Sequence, residues 1–165
     1  MSNGTAILVA EDDPCDILLF KRAFSQTGIK TPIVFVRDGQ EVIDYLMQEP
    51  PFDDSQVNPW PRLIVLDLVM PRVSGFEVLA WLQREPALRH IPVIAFSGLQ
   101  RPTDISRAYS LGAKFFLLKT YRVEQLSMLL HRLADLHGLT REPQLIAPSW
   151  RPEIVGSPER SVQHV

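Results

Sequence analysis

The sequence predicts an α/β domain whose parallel sheet is covered by helices on both faces. Short β-branched or apolar runs alternate with longer amphipathic stretches, the pattern of consecutive βαβ units. The short runs are continuously apolar rather than alternating, as strands are when both of their faces are buried. Length and composition agree, since 165 residues, 45% apolar and 22% charged, suit one globular core. A domain of this size buries roughly two-thirds of its unfolded surface and needs neither disulfide nor structural metal. The lone Cys15 allows no internal disulfide.

Ala6–Ala10 (AILVA) is the first strand. Asp13 caps the first helix, Pro14 takes its first position, Ile17, Leu18, Phe20 and Phe24 follow at helical spacing, and Gly28 ends it. Ile33–Val36 (IVFV) is the second strand. Asp38-Gly-Gln-Glu41 has capping-box spacing and opens a second helix with Val42, Ile43, Leu46 and Met47, stopped by Pro50-Pro51. Pro50 to Pro61 holds four prolines in twelve residues, so an inserted loop is expected at about 49–61. Leu63–Leu66 is the third strand, followed by a helix from Gly75 to Arg84 that carries Phe76, Val78, Leu79 and Leu82. Pro92–Phe96 is the fourth strand, and the helix after it runs from Thr103 to Ser110, ending at Gly112. Phe115–Leu118 is the fifth strand. Val123–Leu136 is the last helix, with Leu126, Leu129, Leu130 and Leu133 on one face and Gly138 as its stop. Residues 1–138 therefore form the domain. Residues 139–165 read as a tail without periodic apolar pattern, too short for a second domain.

Seventeen basic and nineteen acidic residues give a net charge of −2, which supplies no field for nucleic acid or an anionic membrane. No apolar run approaches the ~20 residues that span a bilayer. The first six residues carry no basic stretch ahead of an apolar run, so no signal peptide is read there. A soluble, cytoplasmic protein is expected.

In a doubly wound sheet the ligand site lies outside the carboxyl ends of the strands. Just past the first run stand Glu11, Asp12 and Asp13; past the third, Asp67; past the fourth, Ser97 and Gly98; past the fifth, Lys119. Clustered carboxylates repel one another unless a cation holds them. Oxygen ligands of this kind suit Mg²⁺. A carboxylate can also attack a phosphoryl group, whose oxygens a metal, an ammonium and a hydroxyl would stabilise.

The blocks ILVAEDDP at Ile7–Pro14, VRDG at Val36–Gly39, LIVLDLVMPRVSGFEVL at Leu63–Leu79, VIAFSG at Val93–Gly98 and LGAKFFLLK at Leu111–Lys119 together resemble the CheY-like receiver domain of two-component response regulators, over about residues 5–137. The resemblance implies a flavodoxin-like, three-layer α/β/α fold with strand order 2-1-3-4-5. It also implies Asp67 as the phosphoacceptor, with Mg²⁺ held by Asp12 directly, by Glu11 largely through water, by Asp67 and by the carbonyl of Val69. Ser97 would bind a phosphoryl oxygen, Lys119 would pair with it, and Phe116 would be the aromatic switch that moves inward with Ser97. The implied donor is a histidine kinase or histidine phosphotransfer protein. With no output domain after Gly138, the signal would pass by binding to a downstream protein through the face of the fourth helix, fifth strand and fifth helix. Homodimerisation through that face is an expectation of the same kind. The insertion before the third strand is similar to single-domain regulators paired with phytochrome-type kinases.

Taken singly, several of these residues have plainer roles. Asp13 and Pro14 suit a cap and first turn. Phe115 and Phe116 point to opposite sides of a strand, so one of them is expected in the core, and without the motif both read as core. The four histidines show no zinc spacing. Where the family carries a cis proline after the lysine, this chain has Thr120, and a trans Lys119–Thr120 bond is expected. The residues two beyond Asp67 and Ser97 are the apolar Val69 and Leu99. They cannot orient a water, so slow decay of the phosphorylated state is expected. A haloacid-dehalogenase-type phosphohydrolase would want a second Asp where Val69 stands, and no Gly-rich phosphate loop occurs. Flavin binding would meet Glu11-Asp12-Asp13 in place of a phosphate loop. A pseudo-receiver, regulating through a partner without phosphorylation, stays open as the second reading.

Overall fold

The computed structural model describes residues 5–119 and 122–139. Ten elements alternate among the described residues: β1 (Thr5–Ala10), α1 (Pro14–Thr27), β2 (Ile33–Val36), α2 (Gly39–Met47), β3 (Trp60–Asp67), α3 (Gly75–Arg84), β4 (Val93–Ser97), α4 (Pro102–Ser110), β5 (Phe115–Leu118) and α5 (Val123–Leu136). The strands form one sheet in the order β2-β1-β3-β4-β5. Each neighbouring pair is parallel. This is the doubly wound architecture and the strand order expected from the sequence.

Alternation along the central strands divides the core in two. Leu8 and Ala10 of β1, with Ile64 and Leu66 of β3, meet Val42 and Leu46 of α2 and Val78 and Leu79 of α3. Ile7 and Val9, with Leu63 and Val65, meet Phe20 and Phe24 of α1 and Leu126 and Leu130 of α5. Both faces being covered is why these runs contain no polar residue. Phe20 packs edge-on against Phe96 with ring centroids 4.6 Å apart, which fixes α1 to β4. Full burial of one such side chain contributes about 1.5–3 kcal/mol.

The helix starts follow the sequence signals. Asp13 Oδ1 accepts from the N–H of Cys15 at 2.7 Å, and Gly28 closes α1 at φ 70°. Asp38 Oδ1 accepts from the N–H of Glu41 at 2.9 Å. Glu41 does not return to Asp38, however, because its Oε2 accepts from the N–H of Arg37 at 2.7 Å. The reciprocal capping box forms instead at α3, between Ser74 and Glu77.

Some boundaries differ from the expectation. Trp60 and Pro61, assigned by the sequence to the inserted loop, belong to β3 and pair with Thr5 and Ala6. A register shift between Ala6 and Ile7 leaves Arg62 without a partner in that ladder, and such a bulge accommodates a proline that has no N–H to give. The rest of the insertion is tied back by Tyr45, whose hydroxyl donates to Pro59 O at 2.6 Å and whose ring meets Phe52. Helix α4 starts one residue early, at Pro102. Phe115 is 36% exposed and Phe116 is only half-buried, so neither is a fully buried core residue. The cause is that β5 is an edge strand, paired by β4 alone.

Gly75 opens α3 directly against the end of β3. A Cβ there would collide with the carbonyl oxygen of Asp67 and with Cα of Leu68. Since the obstacle is backbone, the strand end would have to move. Gly75→Ala is expected to lower stability by about 1–3 kcal/mol, read as a lower urea midpoint; an unchanged midpoint would show that α3 and β3 part without cost.

Among the described residues no helix is long and apolar enough to cross a membrane. The expected trans Lys119–Thr120 bond and residues 140–165 of the tail lie outside the described residues, while Leu139, read from the sequence as the start of the tail, is buried against the core and accepts from the Thr31 hydroxyl at 3.0 Å.

Candidate functional site

Every strand of a parallel sheet delivers its carboxyl end to the same edge, and strand order reverses here between β1 and β3. Glu11 directly follows β1 and is anchored by its N–H to Val36 O at 3.0 Å. Asp67 and Ser97 are the last residues of β3 and β4, where the sequence placed them just past the strands. Lys119 directly follows β5, its N–H donating to Ser97 O at 3.0 Å.

Lys119 organises the side chains. Its Nζ lies 2.8 Å from Glu11 Oε2, 2.8 Å from Asp67 Oδ2 and 2.9 Å from Asp16 Oδ2. Glu11 is completely buried and Asp67 is 2% exposed. Asp12 is exposed, yet one oxygen from each of Glu11, Asp12 and Asp67 falls within 4.8 Å of the others. Glu11 Oε1 accepts from the N–H of Asp13 at 3.1 Å. Its Oε2 is held by the ion pair to Lys119 without a well-aligned hydrogen bond. Asp67 Oδ1 accepts from the N–H of Val69 at 3.0 Å.

The electrostatics follow from burial and like charge. Burial pushes the Glu11 carboxyl up to about 7, and the neighbouring Asp67 charge adds to this while the Lys119 ammonium works against it. Burial opposes the Lys119 charge. The close contacts with Asp67, Glu11 and Asp16 outweigh it and hold that ammonium above the ordinary lysine value. Several carboxylates thus share one cation. A buried carboxylate oxygen lacking an aligned donor, beside two more carboxylates, is a donor set that fits a hard divalent cation.

The loop between β3 and α3 is braced from the side. Asp38 caps α2 with Oδ1 and receives Arg72 on Oδ2, with Nε at 2.8 Å and Nη2 at 2.7 Å. Gly39 donates its N–H to Val73 O at 3.0 Å, a close approach that a Cβ would block. Arg72 itself takes φ 63°, a left-handed conformation costly for a residue with a side chain. The paired guanidinium helps to hold it there.

Glu11, Asp12, Asp67 and Lys119 are therefore brought together as the sequence suggests. Ser97 is fully buried, and its Oγ accepts from the N–H of Leu99 at 3.2 Å. Phe116 sits opposite Ala95 of β4 and packs on the core between the sheet and α2–α3. Val69 is 59% exposed. Leu99 is half-buried against the same core as Phe116. Asp16 was not singled out by sequence, because an acid in the first turn of a helix already has a role there.

An acidic cluster and a lysine at the carboxyl edge of a five-stranded, doubly wound sheet place this chain among the α/β proteins that carry their site at the strand ends. Residues 7–131 match the response regulator receiver domain, and the chain belongs to that family, the receivers of two-component signalling. It is 33% identical over 138 residues to the probable methanogenesis regulatory protein FilR2 of Methanothrix harundinacea, covering 83% of this chain and 86% of that one. It is 31% identical over 120 residues to the response regulator Rcp1 of Synechocystis, covering 73% and 80%. Among solved structures, the phosphorylated cyanobacterial phytochrome response regulator RcpA superposes with a TM-score of 0.71 at 31% identity, covering 83% of this chain and 96% of that one. The Mn²⁺-bound form of Rcp1 superposes with a TM-score of 0.70 at 26% identity, covering 84% and 99%.

Proposed function

We propose that this chain is a phosphorylation-controlled switch in which Asp67 takes a phosphoryl group from a phosphohistidine of a histidine kinase or histidine phosphotransfer protein. The observation that carries the reading is the contact of Lys119 Nζ with Asp67 Oδ2 beside the carboxylates of Glu11 and Asp12. An Asp67 oxygen forms a bond to phosphorus as the P–N bond of the phosphohistidine breaks, and the imidazole leaves with the electron pair. Mg²⁺ would be held by Glu11, Asp12, Asp67 and the carbonyl of Val69, and when bound it would supply positive charge to the phosphoryl oxygens. Lys119 meets a further oxygen, and the Ser97 hydroxyl turns from Leu99 toward the group.

Contacts of Ser97 and Lys119 made only in the phosphorylated state would shift the population, with Phe116 moving inward behind Ser97. Delivery to a downstream protein, or to a second copy of the chain, through α4, β5 and α5 is supported by the exposed Tyr109, Phe115 and Met128 on those elements. A phytochrome-type kinase as donor is supported by the likeness to RcpA and Rcp1. The reading carries with it a cytoplasmic location. The chain would act as a switch that catalyses only its own phosphorylation and dephosphorylation, without turnover of a separate substrate.

Intact mass after incubation with acetyl phosphate tests this. The expected result is a Mg²⁺-dependent phosphoryl adduct on the full chain and none on Asp67→Asn. No adduct, under conditions that label a known receiver, would replace the reading with that of a pseudo-receiver.

A further inference from the structure

Two of the three carboxylate partners of Lys119, Glu11 and Asp67, belong to the cluster that fits a cation. The third does not. Asp16 Oδ2 lies 2.9 Å from Lys119 Nζ, and Asp16 is the third residue of α1. A carboxylate at that helix position ordinarily reaches back to the N–H of the capping residue. Here that N–H, on Asp13, donates to Glu11 instead, which leaves the Asp16 carboxylate available to the lysine. The helix that presents it is capped by Asp13 and packed through Phe20 onto Phe96.

We propose that Asp16 is a positioning residue that keeps the Lys119 ammonium beside the reacting oxygen of Asp67 while its other partners change. The proposal rests on Asp67 being the phosphoacceptor. With acetyl phosphate as donor, an Asp67 oxygen bonds to phosphorus as the P–O bond to acetate breaks, and acetate leaves with the electron pair. Asp67 then gives up carboxylate charge, and the Glu11 carboxylate is committed to the cation. Asp16 is the partner that neither event claims. Fixing a long side chain before the donor arrives removes that ordering from the reaction step.

The test uses the full chain, Asp16→Asn, Lys119→Ala and the double variant, each checked for native circular dichroism. Initial rates of phosphoryl uptake from acetyl phosphate at saturating Mg²⁺ are read by intact mass. Asp16→Asn is expected to slow uptake about fivefold, the loss of one charge-assisted contact to a group already positioned by others. In the Lys119→Ala background the same change should have no further effect. Equal slowing in both backgrounds would mean that Asp16 serves α1 rather than the lysine, and would overturn the proposal. Should Asp16→Asn fail to fold, Asp16→Ser carries the same comparison. Labelling of the unaltered chain with Asp16→Asn at the same rate sinks the positioning role alone. An unlabelled wild-type chain sinks the phosphoacceptor reading and the positioning role with it.

Discussion

Lys119→Ala is expected to slow phosphoryl uptake at Asp67 by about 10²-fold, the usual loss when one preorganised donor to a developing charge is removed. The same change should destabilise the Mg²⁺-free chain by about 2–4 kcal/mol, because breaking a largely buried ion pair leaves its partners unpaired. Glu11 is completely buried and Asp67 nearly so, and each has Lys119 as its cationic partner among the described residues. Without the ammonium their charges face one another across a space from which water is mostly excluded. The two effects separate under Mg²⁺. A divalent ion bound among Glu11, Asp12 and Asp67 would offset the repulsion, so the variant should gain more stability from Mg²⁺ than the unaltered chain does. It cannot replace the lysine in contacting the phosphoryl oxygen, so the slow uptake should persist. Urea unfolding with a chelator and with saturating Mg²⁺, alongside initial rates from acetyl phosphate, reads both. A variant that takes up the group at the normal rate would remove Lys119 from the chemistry. A variant that Mg²⁺ stabilises no more than the unaltered chain would remove the cation from the cluster.

The sheet and most of the site were legible because their signals are local and repeat. Five continuous apolar runs, each followed by a polar residue or two, are enough to place Glu11, Asp67, Ser97 and Lys119 at one edge once parallel order is inferred. What stayed hidden depends on pairs far apart in sequence. Asp38 was legible as a cap from its spacing to Glu41, yet its second oxygen holds Arg72, and nothing local to either residue announces that bond. Asp16 is similar, since its position in the first turn of α1 explains an acid without reference to Lys119. Trp60 and Pro61 read as loop because they close a stretch with four prolines in twelve residues, and the bulge against β1 reconciles a proline with the strand. Phe115 reads as core by composition. Its exposure follows from β5 lying at the edge, which is a property of strand order rather than of the run itself.

Val69→Asn and Leu99→Glu are each expected to shorten the life of the phosphorylated chain by about tenfold, a modest share of what a positioned proton-accepting or water-orienting group usually contributes. Hydrolysis of an aspartyl phosphate needs a water placed opposite the Asp67 oxygen, with something to hold its hydrogens. Val69 and Leu99, two residues beyond Asp67 and Ser97, are each tied to that residue by a backbone N–H. The N–H of Val69 donates to Asp67 Oδ1 at 3.0 Å, and the N–H of Leu99 donates to Ser97 Oγ at 3.2 Å. Their side chains are aliphatic and can neither accept from nor donate to a water. Val69 is 59% exposed, so asparagine there costs no core packing. Leu99 is half-buried against the core beneath α2 and α3, so glutamate there gives up some packing and adds charge to an acidic site. Uptake should therefore be completed first, the donor removed, and the decay of the adduct followed alone. Val69→Ile and Leu99→Met keep the apolar character and should leave the decay as it is. If the polar variants decay no faster than these controls, water orientation at the two positions does not set the lifetime. If they do, the two aliphatic side chains lengthen the life of the phosphorylated state, which would then last until a partner or a phosphatase removes the group.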